Sequence, residues 1–247
     1  LHAVRLAADG FYDVLPLGAG EGIPAEWRDP DRLWCGFAGR VRVLALAPET
    51  KAIDSPPRQL SDLAMEQWRG RVAIADPRFG TTASHLAIVR SRIGPDRYRQ
   101  LLESLRANDV QMVSSNSSSR DRVLSGEAWI GLTDTDDIEV VRRRGSSLGE
   151  EFLRGDGVLL LPNVIAIIKG APHPEEAREL AQWLLKKEVE ESLAASSSRQ
   201  VPLRREALVP PTGLTIAELD PVEVDWNDAA SQLAEAIREA ERILLDH

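Results

Sequence analysis

Between Arg71 and Asp137 one pattern occurs three times: a short apolar run, a turn built from Ser, Thr, Asn, Asp and Gly, and then residues with helical spacing. The runs are RVAIADP (Arg71–Pro77), VQMVS (Val110–Ser114) and AWIGL (Ala128–Leu132). The turns are FGTTASH (Phe79–His85), SNSSS (Ser115–Ser119) and LTDTD (Leu132–Asp136). Strands that alternate with helices bury their apolar faces in a parallel sheet covered by those helices. The pattern therefore predicts an α/β fold. It also predicts where chemistry sits, because ligands of open α/β sheets bind at the carboxyl ends of strands, against helix N-termini.

The rest of the chain fits around this repeat. LHAVRLAADG reads as the end of an amphipathic helix stopped by Gly10, so residues are expected ahead of Leu1. Phe11–Leu33 is rich in Pro, Gly and Asp and predicts loop, RVRVLALAP (Arg40–Pro48) a strand, and Leu60–Trp68 a short helix. Pro95 opens a helix carrying Leu101, Leu102 and Leu105. In GVLLLPNVIAIIKG (Gly157–Gly170) the pair Pro162-Asn163 is expected to split two apolar runs, with the chain passing between sheets there. Pro174 opens a helix with Ala177, Leu180, Ala181, Leu184 and Leu185 on one face, and a last helix from Asp225 carries a stripe from Trp226 to Leu244.

Composition narrows the function classes. Of 247 residues, 43% are hydrophobic and 28% charged, which is a globular balance, and the net charge of −9 leaves no basic stripe for a nucleic acid. A single cysteine, Cys35, excludes an internal disulfide framework and a cysteine metal cluster. No apolar run, VIAII included, is long enough to span a bilayer.

The three turns share hydrogen-bonding chemistry. Gly80 permits close backbone approach, Thr81, Thr82 and Ser84 add hydroxyls, and Asn116 and Ser117 do the same at the second turn. With free helix-start N–H groups this set suits an oxyanion such as phosphate, phosphonate or carbonate. Any one turn reads first as ordinary N-capping, and it is the three together that point to a site. The third turn, with Asp134, Thr135, Asp136 and Asp137, repels an anion and suits a hard cation or an ammonium group; acidic residues also simply favour a first helical turn. Arg40 and Arg42 share one side of their strand and either neutralise an anion or pair with an aspartate; Arg40 is taken as the ligand-side residue. His85 reads as a structural histidine, and Trp34 as packing or a stacking surface.

Several blocks resemble the ferric-iron-type family of extracellular solute-binding proteins: WCGFAGRVRVL (Trp34–Leu44), WRGRVAIADPRFGTTASH (Trp68–His85), GEAWIGLTDTDD (Gly126–Asp137), LLLPNVIAIIKGAPHPEEA (Leu159–Ala177) and SSSRQVPLR (Ser196–Arg204). The resemblance implies a class II periplasmic-binding-protein fold, two lobes each with a mixed, mostly parallel sheet flanked by helices, closing on a solute in the cleft between them. Residues 1–48 and 158–190 would form lobe one, without its N-terminal strand-helix unit, and 49–157 and 191–247 lobe two. It implies a periplasmic or membrane-associated extracellular location, a monomer, a permease of an ABC importer as partner, and ferric iron with carbonate or phosphate as cargo.

Carried over by residue, the resemblance places the anion beside the metal on Gly80, Thr81 and Thr82 and on asparagines matching Asn116 and Asp134. The iron-gripping tyrosine pair aligns with Asp136 and Asp137; the only tyrosines, Tyr12 and Tyr98, lie elsewhere. Two aspartates suit a hard trivalent cation, or the amine of an aminophosphonate or other zwitterion whose anionic end rests on Thr81–Thr82. Outside binding, an enzyme using the carboxylates lacks a readable nucleophile–base set, and a ligand-sensing regulator would need a DNA-binding segment that this sequence does not show.

Overall fold

The computed structural model describes residues 1–52 and 56–245; residues 53–55 of the expected Thr50–Pro57 connection, and His247, lie outside the described residues. In chain order the elements are α1 (His2–Ala8), β1 (Tyr12–Asp13), β2 (Cys35–Leu46), β3 (Val72–Ala75), α2 (Gly80–Ile93), α3 (Pro95–Ala107), β4 (Gln111–Val113) and α4 (Asn116–Leu124). They continue with β5 (Ile130–Asp134), α5 (Thr135–Arg142), β6 (Gly149–Phe152), β7 (Leu160–Ile165), β8 (Ile167–Ile168), α6 (Pro174–Leu184), α7 (Lys187–Ala195), α8 (Ile216–Leu219) and α9 (Trp226–Leu244).

The chain forms two compact units, one of Leu1–Arg40 and Leu160–Asn227, the other of Val41–Leu159 and Asp228–His247. This division differs from the expected lobes in one large segment: residues 191–227 pack with the first unit. Glu190 and Arg204 pair at 2.8 Å, Gly39 bridges Val201, and Trp226 stacks at a tilt on Trp27 with ring centres 5.8 Å apart. Those contacts join residues outside any one element, two through side chains and one through backbone, so composition gave no sign of them.

The second unit holds the repeat. Its sheet runs β4-β3-β5-β2-β6, with β3 parallel to both β4 and β5. β2 runs antiparallel to β5 and β6, so the sheet is mixed. All four β3 residues are buried, as expected for a strand covered on both faces. The core gathers Val43, Leu44, Ile130, Leu132, Leu102 and Leu105, each essentially inaccessible. A Cβ on Gly131 would meet the Ser119 carbonyl at 2.7 Å, which is why α4 can press so closely on β5.

Four local expectations are corrected. β2 starts at Cys35, five residues earlier than the alternation suggests, and pairs with β7 as well as with β5 and β6. Pro162 does not break its strand: it lies inside β7, whose one named neighbour is β2, and an edge strand tolerates a missing N–H. The change of sheet comes later, at β8, which pairs with β1. Leu60–Trp68 forms two 3-10 turns, Leu60–Ala64 and Glu66–Trp68, rather than one helix. On α6, Ala181 is buried and Leu185 follows it, but Leu180 and Trp183 are exposed.

Candidate functional site

The three turns converge in the second unit, and the register of the sheet decides how. β5 extends two residues past its expected end, to Asp134, and the β2–β5 ladder sets Arg42 directly across from Asp134. Both are buried, with Arg42 Nη1 2.8 Å from Asp134 Oδ1. Burying an ion pair is costly unless further hydrogen bonds satisfy it. The neighbouring turns supply them: Asp134 Oδ2 accepts from the Thr81 hydroxyl at 2.7 Å and from Asn116 Nδ2 at 2.9 Å, while Arg42 Nη1 donates to Thr81 at 3.0 Å. Thr82 donates to Asn116 Oδ1 at 3.1 Å, and the Val41 N–H donates to Thr135 at 3.2 Å.

Helix capping does not account for this set. Ser115 is a true N-cap, accepting from the Ser118 N–H, but α2 and α5 start without a side-chain cap. Gly80, expected to permit close backbone approach, has open space around its Cβ position. Its φ of +59° is what requires glycine there.

A second set lies one turn along. Asp137 accepts from Ser117 at 2.7 Å through Oδ1 and from Thr133 at 2.9 Å through Oδ2, and Arg120 stands 3.8 Å away. Asp134, Asp136 and Asp137 each bring one carboxylate oxygen to within 4.8 Å of the others. That spacing fits oxygen ligation of a hard cation.

Of the residues expected at the turns, the structure brings Thr81, Thr82, Asn116, Ser117, Asp134, Asp136 and Asp137 close to one another, with Gly80 at the start of α2 and Thr135 bonded to Val41. Of the two arginines on β2, Arg42 joins this cluster. Arg42 holds Asp134; Arg40, in the first unit, donates to Asn163 Oδ1 at 2.5 Å, and Asn163 donates on to Gln200 at 2.8 Å. Sequence reasoning missed Arg120 and Thr133. The two-residue parity of Arg40 and Arg42 was visible, but which one meets Asp134 depends on register, which no local pattern encodes.

His85 is buried in α2, and burial, with Arg42 and Arg92 adding positive charge, pushes its pKa down to about 3. Among the described residues its Nδ1 has no hydrogen-bond partner, and the lowered pKa keeps the imidazole neutral. Tyr98 is buried, donating to the Ala236 carbonyl at 2.9 Å, and Tyr12 lies in β1 of the first unit. Trp34 is buried in the first unit.

Residues 19–230 match the sequence profile of a family described as bacterial extracellular solute-binding protein. The chain belongs to that family. Iron uptake protein A2 of Synechocystis sp. is 27% identical over 183 residues, covering 66% of this chain and 51% of that protein. The structure is similar to iron-bound HitA of Pseudomonas aeruginosa, with TM-score 0.87 at 23% identity, covering 98% of this chain and 79% of HitA. It is also similar to the periplasmic binding protein AfuA of Actinobacillus pleuropneumoniae, solved with fructose-6-phosphate, with TM-score 0.85 at 18% identity, covering 98% and 79%. The fold is that of the class II periplasmic binding proteins, as the resemblance implied. The chain spans between 40% and 66% of the length of the curated relatives it matches. Among the described residues no helix is long and apolar enough to cross a membrane.

Proposed function

We propose that this family member is the monomeric solute-binding component of an ABC importer, working outside the cytoplasm, and that it binds a cation-bearing cargo without chemical turnover. Ferric iron is the cargo we favour. The observation that carries this reading is the meeting of three carboxylate oxygens, from Asp134, Asp136 and Asp137, within 4.8 Å at the ends of parallel strands. Asp136 and Asp137 are less buried than Asp134 and would supply the metal ligands, with Ser117 and Thr133 orienting Asp137. Hard trivalent ions favour such oxygen donors. Iron-binding relatives and neighbours support the choice.

The other reading, a phosphorylated or zwitterionic solute, has the AfuA likeness behind it. It needs Thr81, Thr82 and Asn116 to receive the anionic end, and those side chains already bond to one another, to Arg42 and to Asp134. That weighs against it.

A thermal-shift panel with ferric citrate, calcium, phosphate, phosphorylated sugars and aminophosphonates separates the two. A cargo present at a hundredfold excess over its dissociation constant stabilises the native state by about 2.7 kcal/mol. Asp136→Asn combined with Asp137→Asn is expected to weaken ferric binding by more than about tenfold, roughly 1.4 kcal/mol. Unchanged affinity in a calorimetric titration would remove this turn from the site, and a shift with phosphorus compounds alone would overturn the cation reading.

A further inference from the structure

An external oxyanion bound at the strand ends would need a counter-charge and converging donors. The second unit has both: a buried guanidinium, two threonine hydroxyls and an asparagine amide, on β2, α2 and α4. Each of these groups is already engaged with a carboxylate of the chain itself or with another group of the set, and of the guanidinium only the buried Nε has no partner among the described residues. Asp134 takes Arg42 on one oxygen, at 2.8 Å, and Thr81 and Asn116 on the other, at 2.7 and 2.9 Å. It is 1% exposed, so its charge is not shared with solvent.

We propose that Asp134 is a built-in anion: its carboxylate fills the place an oxyanion would take on Arg42, Thr81 and Asn116, so that the chain binds its cation without a carbonate or phosphate co-ligand. This replaces the expectation of an anion resting on Thr81 and Thr82. Charge argues the same way. The turn's charged side chains are Asp134, Asp136 and Asp137 against Arg42 and Arg120, an excess of one negative charge before any ligand arrives. A second anion would enter a site already negative, whereas a cation would be drawn to it. An exchangeable anion also makes cation affinity depend on anion supply; a tethered carboxylate has no such dependence, because its entropy was lost on folding.

The inference deepens the cation reading and rests on it for the cargo, but its main test reads the anion alone. Wild-type protein dialysed free of carbonate and phosphate is titrated calorimetrically with each. Neither is expected to bind at this turn. Asp134→Asn, which keeps the shape and strands the Arg42 charge, is expected to gain phosphate affinity by at least about tenfold. Phosphate or bicarbonate binding by the wild type that disappears in Thr81→Val would overturn the proposal. Binding that survives Thr81→Val lies elsewhere and leaves the turn closed to anions, as inferred. If Asp134→Asn does not fold, the wild-type and Thr81→Val titrations still decide.

A second arm uses ferric nitrilotriacetate. Its dissociation constant is expected to change by less than about threefold, under 0.7 kcal/mol, when bicarbonate is added. A tenfold tightening would sink the proposal. Absence of any ferric binding would fail the cargo reading instead, with the anion titration still standing.

Discussion

Two buried arginine–carboxylate pairs, one in each unit, have the same 2.8 Å contact and opposite surroundings. In the first unit Arg204 also donates to the carbonyls of Glu21 and Leu185, and Glu190 accepts from the Ala38 and Leu203 N–H groups. Its remaining partners are backbone, which cannot swing away. In the second unit Arg42 and Asp134 are bonded to Thr81, Thr82 and Asn116, all of them side chains with rotatable bonds. A pair tied to backbone ties loops together. A pair tied to side chains keeps a set of donors that a ligand, or a substitution, can rearrange.

The comparison breaks most visibly at Glu190. Glu190→Gln leaves Arg204 buried without its counter-ion, and removing one partner of a buried pair costs about 3–5 kcal/mol. A large fall in the denaturant midpoint is expected, and phosphate is expected not to restore it, since the backbone partners leave no room for a substitute. Asp134→Asn is expected to cost less, and added phosphate to recover part of the loss by mass action. Equal losses with equal rescue would erase the distinction between the two pairs.

A smaller effect is tied to the Arg42 side through His85. Burial and the charges of Arg42 and Arg92 lower its pKa from the ordinary 6.5 to about 3. Between those values the unfolded chain holds a proton that the folded chain does not, so stability rises with pH across that window. His85 contributes fully above pH 6.5, and its contribution is lost as pH falls toward 3. The loss is on the order of a few kcal/mol. His85→Leu should flatten the stability profile between pH 6.5 and about 4, measured by denaturant titration at several pH values. A slope identical to wild type would mean that other groups carry it.

The degree to which the sequence foretold these regions follows from how local each determinant is. The strand–turn–helix repeat, the buried β3 and the stripe on α9 are periodic, and periodicity is read along the chain. So were the residue types at the three turns, whose convergence follows from parallel strands. What escaped was register and long-range packing. Asp134 reads as a turn residue until β5 is seen to continue to it, and Arg42 rather than Arg40 meets it only because of the antiparallel β2 ladder. Residues 191–227 join the first unit through Arg204, Val201 and Trp226, single contacts that leave no pattern in composition. Pro162 was misread because its cost depends on whether a strand is central or at an edge.

The smallest effect concerns Ser117, and it sharpens what a side-chain-bonded site implies. Ser117 is one of two hydroxyls holding Asp137, the other being Thr133. Ser117→Ala removes one half-buried hydrogen bond and leaves Thr133 on the other oxygen, so the stability cost should be about 1 kcal/mol. If Asp137 grips the cation, its orientation matters more than its stability. Ferric affinity should therefore fall by about tenfold, less than in the Asp136 and Asp137 double substitution, with the loss appearing in the dissociation constant rather than in the unfolding midpoint. Ser117→Thr restores a hydroxyl at the same position and should recover most of the affinity. A Ser117→Ala protein that binds ferric iron as tightly as wild type would show that Asp137 is held for the fold and that Asp136 alone of the pair faces the cargo.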